Sequence, residues 1–453
     1  MNKYYFIGIG GIGMSALARY FKAKGSEVCG YDRTETPLTQ ALIAEDIPVH
    51  YRDDTTAIPN SFKSNRDAAL VVYTPAVPAS HSELNWFRDN GYRLMKRSEA
   101  LGIISEAKKT IAVSGTHGKT SVSTMTAHIL TETGVGCDAF LGGISKNYDT
   151  NLLLHEGSAF VVAEADEYDR SFLRLHPHIA VVTAMDADHL DIYGTHEELK
   201  KAFGQFVAQT KSGGYLLAKY GLEINEPAGV RKYTYSLDDS QADFYAANIR
   251  IHDGYYLFDV HIPGEILQDV KLGVPGLVNV ENSIAAMAAS LLAGADAEKT
   301  ARALSSFAGV QRRMDYRIKI ENTVYIDDYG HHPEELRFTI ESVRMMYPKR
   351  RITGIFQPHL YTRTRDFAEG FAKSLSMLDE LILLDIYPAR EEPIPGVSSQ
   401  IIFDKVTIPN KQICRKADVL GILAKYRPDV LLTMGAGDID TLVSPIENLL
   451  KQS

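Results

Sequence analysis

The chain has 453 residues, 45% of them hydrophobic and 23% charged, which is the make-up of an ordinary soluble protein of two to four domains, with three the natural expectation at roughly 100 to 200 residues each. A net charge of −9 excludes the broad basic face of a nucleic-acid binder, so any phosphate chemistry must use local devices such as loop amides, a few Lys or Arg side chains and metal ions. There is no apolar run long enough for membrane insertion, the start is too short an apolar run for a signal peptide, and Cys29, Cys137 and Cys414 are too scattered for a metal or redox motif; a cytoplasmic protein is expected.

Residues 1–108 open with a short apolar strand, a glycine turn and an amphipathic helix from Met14 to Lys24. Further strands end at Asp32 and run over Ala69 to Tyr73; this βαβ order predicts a parallel sheet and a Rossmann-like domain. The turn, Gly8-Ile9-Gly10-Gly11-Ile12-Gly13, fits G-x-G-x-x-G, with Ser15 in the helix behind it and Asp32 at the end of the next strand. Such glycines let backbone N–H groups approach a diphosphate at a helix N-terminus, and the acid can accept from a ribose or other hydroxyl. Which nucleotide is bound stays open on this motif alone.

Residues 109–310 form a second α/β region, with a strand from Thr110 to Val113, a loop, and a helix from about Thr120 to Thr131. Strands at Ala159 to Ala163 and Ile179 to Thr183 continue its sheet, Phe244 to Leu272 alternates like an antiparallel β insertion, and a helix over Asn282 to Leu292 helps close it. The loop Gly115-Thr116-His117-Gly118-Lys119-Thr120, followed by Ser121, can wrap phosphates in N–H groups, with Lys119 on the β and γ phosphates and the Thr120 hydroxyl on Mg²⁺. It lacks the earlier glycine of the generic phosphate loop, since Val113 stands there. Glu164, at the end of a buried strand, is the candidate Mg²⁺ ligand, whereas Asp166 and Glu167 read more readily as helix caps. His189 follows the neighbouring strand and can reach the same crevice as a second metal ligand.

From residue 311 to 453 a third alternation begins, with strands near Val324 to Ile326, Ile352 to Phe356, Glu380 to Leu384 and Val430 to Met434, and a helix starting at Pro333. Arg312 and Arg313 stand at the junction; Arg313 can stabilise charge on a transferring phosphoryl group. Asp327-Asp328-Tyr329-Gly330-His331-His332-Pro333 is a dense polar cluster at a strand end, with helix capping the plainer role for His332. In the segment Phe356 to Arg365, Arg363 can clamp a carboxylate bidentately, and His359 can accept a proton from an attacking amine or orient it.

In their order along the chain, Gly-Ile-Gly-Gly-Ile-Gly-Met-Ser at 8–15, Gly-Thr-His-Gly-Lys-Thr at 115–120 and Glu-Ala-Asp-Glu at 164–167 resemble the Mur ligase family. So do Asp-His-Leu-Asp at 188–191, Asp-Asp-Tyr-Gly-His-His-Pro at 327–333 and Phe-Gln-Pro-His-Leu-Tyr-Thr-Arg-Thr-Arg at 356–365, and the set looks like the alanine-adding branch. The resemblance implies an N-terminal domain for the UDP part of the substrate, a central ATPase domain, and a C-terminal Rossmann-like domain that completes the site. It further implies ATP and Mg²⁺ as cofactors, UDP-N-acetylmuramate and L-alanine as substrates, and a monomer or weak homodimer. Carried over, Gly10 to Gly13 hold the UDP diphosphate rather than NAD. Lys119 and Thr120 contact ATP and metal, Glu164 and His189 bind Mg²⁺, and Asn279 and Asn282 lie near the nucleotide. Arg313, Asp327, Tyr329 and His331 fall in motifs around ATP and substrate, while His359 and Arg363 match the segment that takes up alanine. Phe203 stands where other branches carry a carbamylated lysine, which fits the alanine-adding branch; Val278 and Leu360 depart from the common histidine and arginine. Within the family, a recycling ligase that attaches a tripeptide to the same sugar is the alternative. Outside it, an NAD-dependent oxidoreductase leaves the 115–120 loop unexplained, and a plain nucleotide-binding module leaves the 327–333 cluster superfluous.

Overall fold

The structure is a computed structural model that describes residues 3–187, 190–252, 255–389 and 391–452. The first sheet contains β1 (Lys3–Ile7), β2 (Glu27–Tyr31), β3 (Val49–His50), β4 (Ala69–Tyr73) and β5 (Arg93–Lys96), all parallel in the order β3-β2-β1-β4-β5. Strand order reverses beside β1, so the glycine loop leaves the sheet at the switch point where such folds bind ligands. Gly30 permits the tight β1–β2 pairing, because a Cβ there would lie 2.3 Å from the Phe6 carbonyl oxygen. The helix Ile12–Ala23 starts a little earlier than its apolar pattern predicts, since Ile12 and Gly13 of the loop already form its first turn.

The second sheet is built on β6 (Lys109–Ser114), β7 (Asp138–Ser145), β8 (Thr150–Leu153), β9 (Phe160–Ala165), β10 (Ile179–Val182), β11 (Tyr215–Lys219), β12 (Arg231–Ser236), β13 (Phe244–His252), β14 (Tyr255–Ile262) and β15 (Glu265–Leu272). Its order is β15-β14-β13-β12-β11-β10-β6-β9-β7-β8, which puts β6 between two parallel neighbours. Buried on both faces, β6, β9 and β10 read as near-continuous apolar runs. The β insertion expected over Phe244 to Leu272 is present as β13 to β15, and β7–β8 is an antiparallel hairpin at the opposite edge. Phe6, Met14 and Leu17 of the first sheet share one continuous apolar cluster with Phe140, Leu152, Phe172 and Phe203 of the second. That shared core makes one compact unit of residues 1–248, 258–271 and 281–308.

The second compact unit comprises residues 249–257, 272–280 and 309–453. The third sheet, which lies in this unit, has the strands β16 (Asp315–Ile320), β17 (Thr323–Asp328), β18 (Ile352–Phe356), β19 (Glu380–Leu384), β20 (Lys411–Cys414) and β21 (Val430–Met434). They run in the order β16-β17-β21-β18-β19-β20, parallel except for β16. Pro333 opens the helix Pro333–Met346 at its first turn, where its missing N–H is harmless. The three expected α/β regions are thus present as three mostly parallel sheets.

Candidate active site

At the end of β1 the backbone is folded back by Gly8, whose φ of 86° favours glycine, and its N–H donates to the Tyr31 carbonyl at 2.8 Å. Gly11 precedes the helix without a side-chain cap, leaving first-turn amides to face an anion. Asp32 accepts from the Gly10 N–H at 2.7 Å and the Thr34 N–H at 3.1 Å. It therefore holds the loop itself in place, a role the sequence does not distinguish from hydroxyl binding. Ser15 is buried and donates to the Ile12 carbonyl.

The second loop follows β6 and needs two left-handed glycines. A Cβ on Gly115 (φ 136°) would lie 2.0 Å from the Thr183 hydroxyl oxygen, and Gly118 (φ 84°) caps the helix Lys119–Thr133 with Asn282 Oδ1 pressed beneath it. The Thr116 hydroxyl accepts from the Asp186 N–H at 3.1 Å, the Thr183 hydroxyl donates to the His117 carbonyl, and Ser121 lies half-buried on the first helical turn. Lys119 Nζ curls back to the Gly115 carbonyl at 2.7 Å and to both oxygens of Glu167 at 2.9 Å. Burial works to lower its pKa, but the charges of Glu167, Asp166 and Glu164 outweigh that and hold the ammonium above the usual lysine range. Glu167, for which helix capping is the plainer alternative in the sequence, is fully buried and is the counter-ion of the phosphate-loop lysine.

Thr120 donates its hydroxyl to Glu164 Oε2 at 3.0 Å. The carboxylate fits there only because residue 142 of β7 is glycine: a Cβ would sit 1.6 Å from that oxygen. A hydroxyl and a carboxylate converging beside a phosphate loop are the hard oxygen donors that suit Mg²⁺. His189, the other expected metal ligand, lies outside the described residues. Among the described residues no three His, Cys, Asp or Glu side chains form a metal cage. A hollow beside Glu164 is walled by Arg97, Ser98, Leu101, Asp166 and Ser171, so first-sheet residues line it together with the end of β9. The Arg97 guanidinium packs on Gly13 and stands 3.7 Å from Asp166.

In the second unit the strand ends gather their own cluster. Asp327 is fully buried and accepts from Arg312 Nε at 3.1 Å and the Thr433 hydroxyl at 2.6 Å. It anchors Arg312 rather than standing open to a ligand. Both guanidinium groups lie over the Tyr329 ring, Arg313 at 4.9 Å and Arg312 at 5.3 Å. Burial pushes the Asp328 carboxyl up to about 6, against the charge of Arg313 and the N–H groups of Met314 and Gly330. His331, with Nδ1 at 3.0 Å from the Tyr329 carbonyl oxygen, is pushed down to about 4 by burial; Glu335 opposes this, and the charges of Arg363 and Arg313 add to it. Its ring is 5.9 Å from that of His359, which packs on Tyr387, and Arg363 sits half-buried in the short helix Tyr361–Asp366. Two motifs distant in sequence are thus brought together. His332 caps the helix Pro333–Met346 in a capping box with Glu335. Asn279 also falls in this unit, its amide donating to the Pro275 carbonyl at 2.6 Å.

Sequence reasoning missed Gly435-Ala436-Gly437-Asp438, which follows β21. The Gly435 carbonyl accepts from Arg312 at 2.7 Å, and Gln357 donates to Asp438 at 2.7 Å. Glycine and acid directly after an apolar strand were the available signal. Gly142 gave no such signal, because its role is only to be small.

Family models match three consecutive stretches: "Mur ligase family, catalytic domain" at 3–109, "Mur ligase middle domain" at 113–290 and "Mur ligase, glutamate ligase domain" at 312–437. The UDP-N-acetylmuramate--L-alanine ligase of Parabacteroides distasonis is 54% identical over 452 residues, covering 99% of this chain and 97% of that protein. The same-named ligase of Porphyromonas gingivalis is 53% identical, covering 100% and 99%. Among solved structures, UDP-N-acetylmuramate-alanine ligase from Thermotoga maritima superposes with a TM-score of 0.82 at 27% identity, covering all of both chains. A murein peptide ligase from Psychrobacter arcticus, at 20% identity and a TM-score of 0.71 over 100% of this chain and 99% of that one, shares the fold.

Proposed function

The chain belongs to the Mur ligase family, an ATP-using family, and from that premise we propose that it joins L-alanine to the lactoyl carboxylate of UDP-N-acetylmuramate in peptidoglycan precursor synthesis. Full-length identity of 54% to a ligase of that name carries the reading. The proposed division is a UDP-substrate domain over 1–108, an ATP-binding domain over 109–310 and an amino-acid domain over 311–453. No helix among the described residues is long and apolar enough to cross a membrane, and a reaction fed by ATP and a UDP-sugar belongs in the cytoplasm.

The Gly10 to Gly13 loop holds the UDP diphosphate through the first-turn amides of Ile12 and Gly13, while Asp32 fixes the loop by accepting from the Gly10 N–H. Loop amides of 115–118 and the Lys119 ammonium hold the ATP phosphates, and Lys119 with Arg313 neutralises charge on the transferred γ-phosphoryl group. Thr120, Glu164 and His189 would hold Mg²⁺, which would supply Lewis-acid neutralisation of the charge on the ATP phosphates. The lactoyl carboxylate attacks phosphorus, ADP leaves, and an acyl phosphate forms. Arg363 clamps the alanine carboxylate, and His359 orients the neutral amine, which attacks the acyl carbon; phosphate departs with its bonding pair and the amine gives up a proton. His331 is neutral near pH 7 because burial keeps its pKa down at about 4.

Initial rates with L-alanine and with a cell-wall tripeptide test the acceptor. Faster reaction with alanine by orders of magnitude supports the reading, and preference for the tripeptide overturns it in favour of a recycling ligase.

A further inference from the structure

The helix Ile12–Ala23 begins in the glycine loop, so its placement fixes where the loop amides point. One flank of it packs on the β7–β8 hairpin of the central sheet, in surroundings that are mostly apolar: Leu17, Phe140 and Leu152 share the core there, and Tyr20 lies 5.3 Å from Phe140. A single buried amide interrupts that apolar contact. Asn151, in β8 and 0% exposed, donates from Nδ2 to the Ile12 carbonyl at 2.6 Å and to the Ser15 hydroxyl oxygen at 2.9 Å. Its Oδ1 accepts from Arg19 Nη1 at 2.5 Å. Arg19 is itself clamped by Glu45 through two bonds of 2.7 and 2.6 Å. Both donors of the amide and its acceptor are therefore satisfied by one helix of the first sheet.

The other strand of the same hairpin, β7, carries Gly142, on which the Glu164 carboxylate rests beside Thr120. One hairpin thus touches the diphosphate-loop helix with β8 and the phosphate-loop pair with β7. Adhesion alone needs no polar group here, because an apolar side chain in an apolar contact serves it as well. A fully satisfied buried amide adds a unique register, since any slide of the helix strands its donors.

We propose that Asn151 is a positioning residue for ligation: it registers the helix that presents the UDP diphosphate against the strands that present ATP. The sugar carboxylate then meets the γ-phosphoryl group at a fixed distance. This rests on the functional reading above. A misplacement on the order of 1 Å between reacting groups costs up to about a hundredfold in rate.

The test compares Asn151→Ala, Asn151→Asp and Arg19→Ala with wild type in steady-state kinetics for each substrate, in direct ATP binding and in thermal melting. Asn151→Asp keeps the acceptor for Arg19 and loses both donors. The expected result is a fall in kcat/KM for UDP-N-acetylmuramate of about tenfold or more, equivalent to ~1.4 kcal/mol, in both Asn151 variants, with ATP affinity within about twofold of wild type. An unchanged kcat/KM for the UDP-sugar, or an equal loss of ATP affinity, overturns the proposal. If Asn151→Ala does not fold, Asn151→Asp and Arg19→Ala decide by the same criterion. A wild-type protein that makes no alanyl product contradicts the functional reading; a productive wild type with indifferent variants contradicts this inference alone.

Discussion

Replacing Gly142 by alanine is the sharpest perturbation of the phosphate-loop site, because it adds one methyl group and removes no functional atom. The new Cβ would stand 1.6 Å from Glu164 Oε2, 2.6 Å from its Cδ and 2.9 Å from the Thr120 hydroxyl oxygen, where ordinary contact begins at 3.4 Å. The carboxylate must therefore retreat by nearly 2 Å, breaking its 3.0 Å bond with Thr120. Gly142 does not have positive φ, so alanine is compatible with the backbone, and a side chain in a strand favours the extended state. Folding stability should change by less than about 1 kcal/mol, while kcat falls by about a hundredfold, as expected when a charged group moves by more than 1 Å at a reacting centre. Phosphate release measured across a Mg²⁺ titration checks this, with the half-saturating Mg²⁺ concentration expected to rise as well. Activity within about twofold of wild type, at an unchanged Mg²⁺ requirement, refutes the assignment of Glu164.

Lys119→Ala should abolish ligation and also destabilise the fold by about 3 kcal/mol in urea unfolding, because it leaves the buried Glu167 carboxylate without its cation. Adding Glu167→Gln should recover most of the stability and none of the activity. Phe203 is fully buried, 5.3 Å from the Phe172 ring, so Phe203→Ala should lose about 3 to 5 kcal/mol of stability. The folded-state pKa of His331 lies below its unfolded value, so its stability contribution is present above about pH 6.5 and is lost as pH falls toward about 4. Between pH 7 and pH 5, His331→Asn should consequently lose roughly 1 to 2 kcal/mol less than wild type, and equal losses would contradict the burial of a neutral ring.

Apolar runs such as Ala69–Tyr73, Ile352–Phe356, Glu380–Leu384 and Val430–Met434 were legible to the residue, since parallel strands buried on both faces leave little ambiguity. Helix starts were less so. The helix Leu277–Leu292 begins before Asn282, its stripe of Ile284, Met287 and Leu291 extending back through Val280 and Leu277, and Ile12–Ala23 begins before Met14 because its first turn is built from the glycine loop. The site's chemistry was readable wherever a charged or polar side chain follows a strand, as with Lys119, Glu164 and Asp327. What stayed hidden is pairing. Which acid accompanies Lys119, which arginine of the 312–313 pair Asp327 binds, and why Gly142 must be small all depend on contacts between strands distant in sequence.

The most direct test is phosphate release by the purified protein with Mg-ATP and UDP-N-acetylmuramate, with and without L-alanine, together with mass spectrometry of the UDP-sugar. A sugar heavier by one alanyl residue, formed one-for-one with phosphate and only when alanine is present, is the predicted result. ATP binding without such a product, or a product formed only with a peptide acceptor, would contradict the assigned reaction.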